Sequence, residues 1–98
     1  MKLNLIRNKA LNNTFEQIKQ ILDREFTGSI HVIDDSHLHI GHANEGAGHY
    51  TIHIVDEKFN DLSRIKRHKL IYDLLKSSDL KIHALAMRLY TPYEYYSK

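Results

Sequence analysis

The chain has no cysteine. Disulfides and thiolate chemistry of its own are therefore excluded, and any iron or zinc it holds must sit on imidazole, carboxylate or a partner's sulfur. A long apolar run is also missing. The opening "MKLNLIRNKALNNTF" holds no stretch of signal-peptide length, and nothing downstream approaches the roughly 20 apolar residues of a membrane span. The expected location is cytoplasmic, in a reducing compartment and away from membranes. Charge of one sign is scarce as well: 14 Lys and Arg stand against 12 Asp and Glu, for a formal net charge of +2. No global basic field of the nucleic-acid-binding kind results, so such a role would need a local patch. There is no repeat, linker or low-complexity tract. With 98 residues, 42% hydrophobic and 27% charged, the composition suits one domain with one core.

What the chain does have is histidine. Four of its eight fall in "DDSHLHIGHANEGAGHY", residues 34–50: His37, His39, His42 and His49. Three of its four glycines lie there too. A metal site, a catalytic loop and a solvated polar connection would all read this way.

The flanking pattern places this stretch. Residues 1–12 are weakly patterned and are expected to be a flexible extension, with a single domain over 13–98. From Asn13 a helix is predicted, with Phe15, Ile18, Leu22 and Phe26 forming one apolar stripe. Thr14 and Gln17 have capping-box spacing at its start, and Gly28 ends it. "SIHVIDD" (29–35) is short and β-branched and reads as a strand. "HYTIHIVDE" (49–57) alternates, with Tyr50, Ile52 and Ile54 on one face and His49, Thr51 and His53 on the other, giving a second strand antiparallel to the first. Ser63 is placed to cap a helix over "RIKRHKLIYDLLK", whose expected core face carries Ile65, His68, Tyr72 and Leu75, widened by Leu70, Ile71 and Leu74. "KIHALAMRLY" is the third strand, with Ile82, Ala84 and Ala86 on one side and His83, Leu85, Met87 and Leu89 on the other. The chain leaves it at Pro92 for a last helical turn. The order α-β-β-α-β with a short C-terminal helix makes an α+β two-layer domain, helices on one face of a three-stranded sheet.

No serine sits in a G-x-S-x-G elbow, and "GHANEGAGHY" lacks the Lys-Ser/Thr of a phosphate loop, so these motifs give no support for catalysis. His37-x-His39-x-x-His42 offers three imidazoles within six residues; two could ligate one ion, with Asp34 or Asp35 fixing the free ring nitrogen. A self-contained zinc site normally wants four ligands, usually with thiolate. The alternative is a solvated loop whose histidines hydrogen-bond locally. Arg64, Lys66, Arg67 and Lys69 form a basic run, but on a helix they spread over an arc, and Asp61 and Asp73 flank them.

"DDSHLHIGH", "GHYTIHIVDEKFNDLSRIKRHKLIYDLL" and "IHALAMRLYTPYE", taken in order, resemble the BolA family. The likeness spans about residues 13–94. Departures are Gly48-His49-Tyr50 where Ser/Thr-His-Phe is usual, Asp56 where serine follows Ile-Val, and Asn60-Asp61 where glycine is common. The resemblance implies a class II KH-like fold and a binding module that partners a monothiol glutaredoxin. In such a pair a [2Fe-2S] cluster is held by the glutaredoxin cysteine, the cysteine of glutathione and two residues of the BolA-like chain, and the isolated chain carries none. Its metal ligands would be His83, in the Ile-His-Ala-Leu strand, and a loop histidine: His39, three after Ser36, with His42 as runner-up. His68 and His49 would support the site structurally, His68 through a buried hydrogen bond. The resemblance also admits stress-response and DNA-binding regulatory roles, with Arg64, Lys66, Arg67 and Lys69 as phosphate contacts. The basic Gly-x-x-Gly clamp of KH domains is absent, however. Alone, the chain would be a monomer or weak homodimer.

Overall fold

A computed structural model describes residues 13–36 and 48–97. The extension 1–12 and the loop histidines His37, His39 and His42 lie outside the described residues. Helix α1 (Thr14–Glu25) starts on Asn13, whose side-chain carbonyl accepts from the backbone N–H groups of Phe15 (2.7 Å) and Glu16 (3.4 Å). The cap is thus one residue earlier than the Thr14–Gln17 box expected from spacing. An Asn oxygen just before the first turn reaches two of the helix's four orphan donors. Phe26, buried and extended, already takes the chain out of the helix. Gly28 has a different duty from ending it: a Cβ there would collide with the Val55 carbonyl.

The sheet is three-stranded, in the order β1 (Ser29–Asp34), β2 (Gly48–Val55), β3 (Ile82–Tyr90). β1 and β2 run antiparallel, with His31 opposite His53, and β2 and β3 run parallel. A parallel pair needs a crossover, and helix α2 (Arg64–Lys76) supplies it. α1 lies over β1, α2 over β3, and the two helices touch each other, so both occupy one face. Between them and the sheet sit Ile18, Leu22, Ile52, Ile54, Phe59 and Ile71, all fully buried. The alternation expected in β2 is observed, with Tyr50, Ile52 and Ile54 turned inward.

The stretch after β2 is tighter than a simple turn. Asp56 is buried and accepts three backbone N–H groups, from Thr27 (3.0 Å), Gly28 (2.8 Å) and Lys58 (2.8 Å). It thereby caps a single 3₁₀ turn, Glu57–Phe59, and ties that turn to the end of α1. Beyond it, Ser63 caps α2 as expected, accepting from Lys66 N–H at 3.2 Å. The final helix α3 (Pro92–Tyr96) carries a complete capping box between Thr91 and Glu94. Its Tyr95 ring reaches the other face of the sheet and packs edge-on against His53 at 5.4 Å and beside Tyr90 at 5.7 Å.

Two expected faces are corrected. The buried row of α2 is Arg67, Ile71 and Leu75, whereas Ile65, His68 and Tyr72 are exposed. The helix is rotated by about one residue, 100°, relative to the apolar stripe. A satisfied arginine occupies a position that an apolar count leaves empty. In β3 the inward residues are Leu85, Met87 and Leu89, while Ile82 also packs on the core although its spacing from them is odd. The reason is an irregularity in register: Gly48 pairs with Ile82 but His49 pairs with Ala84. His83 is the extra residue, and the alternation changes phase across it.

Candidate functional site

The irregularity at His83 has a chemical consequence. The extra residue of a bulge drops out of the strict up-and-down alternation and its side chain is re-aimed. Here His83, exposed, lies beside the half-buried His49 of the central strand, with ring centres 4.9 Å apart and planes inclined by 56°. The sequence places these residues 34 positions apart; the parallel β2–β3 pairing makes them neighbours.

The backbone on the His49 side is firmly held. His49 N–H donates to Ser36 Oγ at 3.0 Å, its carbonyl accepts from Asp35 N–H at 2.7 Å, and Gly48 N–H donates to Lys81 O at 3.0 Å. Asp35 in turn accepts from Thr51 Oγ1 at 2.7 Å. Gly48 is required by the packing, since a Cβ there would enter the Tyr50 ring. Clefts border both members of the pair. One of about 320 Å³ is lined by Asp35, His49, Thr51 and Ala84. The other, about 380 Å³, is lined by His83 with Tyr72, Lys76, Leu80 and Ile82.

Among the described residues no cluster of three or more His, Cys, Asp or Glu could enclose a metal ion. The described chain therefore offers imidazoles in a pair. A pair fits a metal centre whose other ligands come from elsewhere, and does not fit a self-contained structural site. Of the ligands expected from the resemblance, His83 lies exposed on the edge strand, and His39 and His42 lie outside the described residues. His49, expected as structural support, is the imidazole beside His83. His68 is exposed, so its expected buried hydrogen bond is replaced by that of its neighbour.

That neighbour is Arg67. Its guanidinium is buried and makes four hydrogen bonds: Nε donates to Leu62 O at 2.9 Å, one terminal nitrogen to Leu89 O at 3.1 Å, and the two terminal nitrogens fork onto Glu94 at 2.7 and 2.9 Å. Bidentate charge-assisted pairing of this kind is the strong form of the interaction. It holds the Glu94 carboxyl down at about 2, with the Arg67 hydrogen bonds as the largest cause and the Thr91 N–H next. Arg67 is thus a strut between α2, β3 and α3, which corrects its expected part in a basic phosphate-binding run. Arg64, Lys66 and Lys69 remain exposed, with Lys69 3.8 Å from Asp73.

A second histidine pair lies on the open face. His31 and His53 are directly opposed across β1 and β2, with ring centres 6.2 Å apart. Burial is the main cause lowering the His53 pKa, followed by the positive neighbours His31 and Arg88.

A two-layer α-β-β-α-β module with a bulged edge strand and an imidazole pair at one end of the sheet defines a small α+β domain. Comparison with known proteins makes this specific. The family model described as "BolA-like protein" matches residues 22–94, and the chain belongs to that family. It is 38% identical over 81 residues to "DNA-binding transcriptional regulator BolA" of Haemophilus influenzae, covering 80% of this chain and 77% of that one. It is 37% identical over 95 residues to "SufE-like protein 1, chloroplastic/mitochondrial" of Arabidopsis thaliana, spanning 87% of this chain but only 25% of that protein. The solved BolA domain of SufE1 from Arabidopsis thaliana superposes with a TM-score of 0.73 at 36% identity, covering 82% of this chain and 93% of that domain. No helix among the described residues is long and apolar enough to cross a membrane.

Proposed function

We propose that the protein is a binding module that shares a [2Fe-2S] cluster with a monothiol glutaredoxin and glutathione, serving cluster trafficking or iron sensing in the cytoplasm. The observation that carries this reading is His83, exposed on a bulge of the edge strand with a second imidazole at its side, in a chain without cysteine. A cluster held by two imidazoles from this chain and two thiolates from the partner side is of the mixed His/Cys type, whose potential lies above that of all-cysteine clusters. A chain that offers half the ligands cannot retain the cluster alone, which suits hand-over rather than storage. The second imidazole comes from the segment between β1 and β2 or from the start of β2; the family resemblance favours His39, then His42.

The test is co-expression with a monothiol glutaredoxin in the presence of glutathione, read by visible absorption and circular dichroism. A red-brown heterodimer is expected whose spectrum changes in His83→Ala. A heterodimer whose cluster spectrum is indifferent to His83→Ala refutes the ligand assignment, and absence of any cluster refutes the function.

A second reading, DNA binding, has one observation in its favour: Arg64, Lys66 and Lys69 are exposed on α2, in a relative of a protein named as a DNA-binding regulator. It requires affinity that falls steeply with salt and drops in Lys66→Ala. Binding indifferent to both excludes it.

A further inference from the structure

Strand β3 is an outer strand: the order β1-β2-β3 leaves its second edge without a partner strand among the described residues. Two carbonyls mark which residues face that edge. Tyr90 O accepts from Asp56 N–H at 3.0 Å, on the β2 side, whereas Leu89 O accepts from the Arg67 side chain at 3.1 Å, on the α2 side. From Ala84 onward the pairing with β2 is regular. Period-two alternation therefore turns the backbone N–H and C=O groups of Leu85 and Met87 outward with those of Leu89. Such an edge is a template for another extended chain.

Helix α2 forms the wall beside it. Arg64, His68, Tyr72 and Lys76 recur every four residues as one ridge of the helix, and all are exposed. Two clefts separate this ridge from β3. The larger, about 380 Å³, lies between Tyr72, Lys76 and the apolar Leu80, Ile82 and Leu85. The smaller, about 70 Å³, lies between Arg64, His68 and the Met87–Tyr90 end of the strand. The ridge spans about 18 Å at about 1.5 Å per residue, the length of about five residues of extended chain. Among the described residues no carboxylate lines either cleft. Glu94 pairs with Arg67 and Asp73 lies 3.1 Å from Lys76, but Arg64 and Arg88 make no ion pair among the described residues.

We propose that the groove between α2 and the outer edge of β3 docks an extended acidic peptide segment of another protein, which adds to the three-stranded sheet as a further strand. Its main chain pairs with the outward groups of Leu85 and Met87. In this mode main-chain hydrogen bonds give affinity, and clefts for alternate side chains give specificity. An apolar side chain enters the larger cleft against Tyr72 and Leu85. Carboxylates at the other end meet Arg64 on the helix side and Arg88 on the open side of the sheet. A second copy of this chain suits the edge less well, because it would bring two cationic grooves together. A nucleic-acid strand also suits it less well: outward carbonyl oxygens repel phosphate, whereas the N–H groups of a peptide satisfy them. The groove does not depend on the cluster function proposed above and is tested without a glutaredoxin.

The test uses the full ¹⁵N-labelled chain. Two probes, acetyl-Val-Thr-Ile-Asp-Glu-Asp-amide and the same residues in reverse order, are titrated in and the backbone amide signals followed by NMR. One of them should shift the Leu85 and Met87 amides and slow their hydrogen exchange at least tenfold. Methylating alternate backbone nitrogens of that probe should abolish the response in one phase and leave it in the other. A lysine analogue, with Asp and Glu replaced, should bind at least tenfold more weakly, as should the acidic probe to the double variant Arg64→Glu/Arg88→Glu. Tyr72→Ser should weaken binding at least threefold with the remaining amide spectrum unchanged, which separates loss of the groove from loss of fold. The proposal is overturned if neither probe moves these amides, if methylation in both phases is tolerated, or if the lysine analogue binds equally well. Leu85 and Met87 amides that shift with protein concentration alone assign the edge to a second copy. Shifts there produced by an oligothymidylate but by neither peptide assign it to nucleic acid, and either result overturns the proposal as well.

Discussion

Arg67 offers the sharpest separation between a structural and a recognition role, because the two make opposite forecasts for one substitution. In Arg67→Ala the guanidinium leaves behind the Leu89 carbonyl, in a buried bond, and the Leu62 carbonyl, which is partly buried. An orphaned buried acceptor costs about 1–3 kcal/mol, and a partly hydrated one less. The aliphatic stem and the contact of the guanidinium over Phe59, 5.8 Å from the ring centre, are also lost. Glu94 adds little, since its side chain is 41% exposed and can rehydrate when its partner goes. The sum is about 2–4 kcal/mol, a large share of the 5–15 kcal/mol that holds a typical domain together. For a chain of this size each kcal/mol is worth about 4–8 °C, so Tm should fall by about 10–25 °C in thermal unfolding followed by circular dichroism. Arg67→Lys should recover only part of the loss, because an ammonium cannot reproduce the fork onto Glu94. The companion measurement is DNA binding at low salt, at a temperature where the variant is still folded. A Tm within 3 °C of the unaltered protein, combined with weakened salt-sensitive DNA binding, would refute the assignment of Arg67 as a strut.

Other outcomes follow from single features of the fold. The Glu94 carboxyl sits at about 2 in the folded chain against an ordinary value of 4.5, so its stabilising contribution is complete above that ordinary value and fades as the pH falls toward 2. Urea midpoints measured across that window should show a pH-dependent component that is absent in Glu94→Gln; an unchanged profile would refute the linkage. Asp61 is the only described non-glycine residue with positive φ, at 65°, and Asp61→Gly should raise stability by about 0.5–1 kcal/mol in urea titration. A destabilisation there would mean that the Asp61 side chain contributes something its backbone conformation does not show. Gly48→Ala should lower Tm and disturb the Tyr50 ring signals, because the new methyl group enters the space that ring occupies. Asp56→Ala strips the acceptor from three backbone donors at once and should cost about 2–4 kcal/mol, whereas Asp56→Asn, which keeps one carbonyl oxygen, should cost less.

Helix α1 and strand β2 are legible because each has an unambiguous period and buries residues its spacing indicates, and Ser63 caps α2 as its position suggests. The elements whose faces differ from the apolar pattern are decided by non-local interactions. The face of α2 turned on Arg67, whose partner Glu94 lies 27 residues away, and no count of apolar residues registers a buried charge that is satisfied. Asp56 was visible only as a departure from a serine, because two of the amides it serves belong to residues 28 and 29 positions earlier. The candidate site was hidden for a related reason. Strand alternation puts His83 on the side of Leu85, the inward side, and that inference is valid for an unbroken strand. One extra residue opposite the Gly48–His49 step changes the phase and leaves His83 exposed beside His49. The only local sign of the irregularity is Gly48, in the place of the family's usual Ser/Thr, where the Tyr50 ring leaves no room for a side chain. Histidine content marks the loop, but it is register that brings His49 and His83 side by side. Register in a parallel pair is set by the crossover and the packing beneath it.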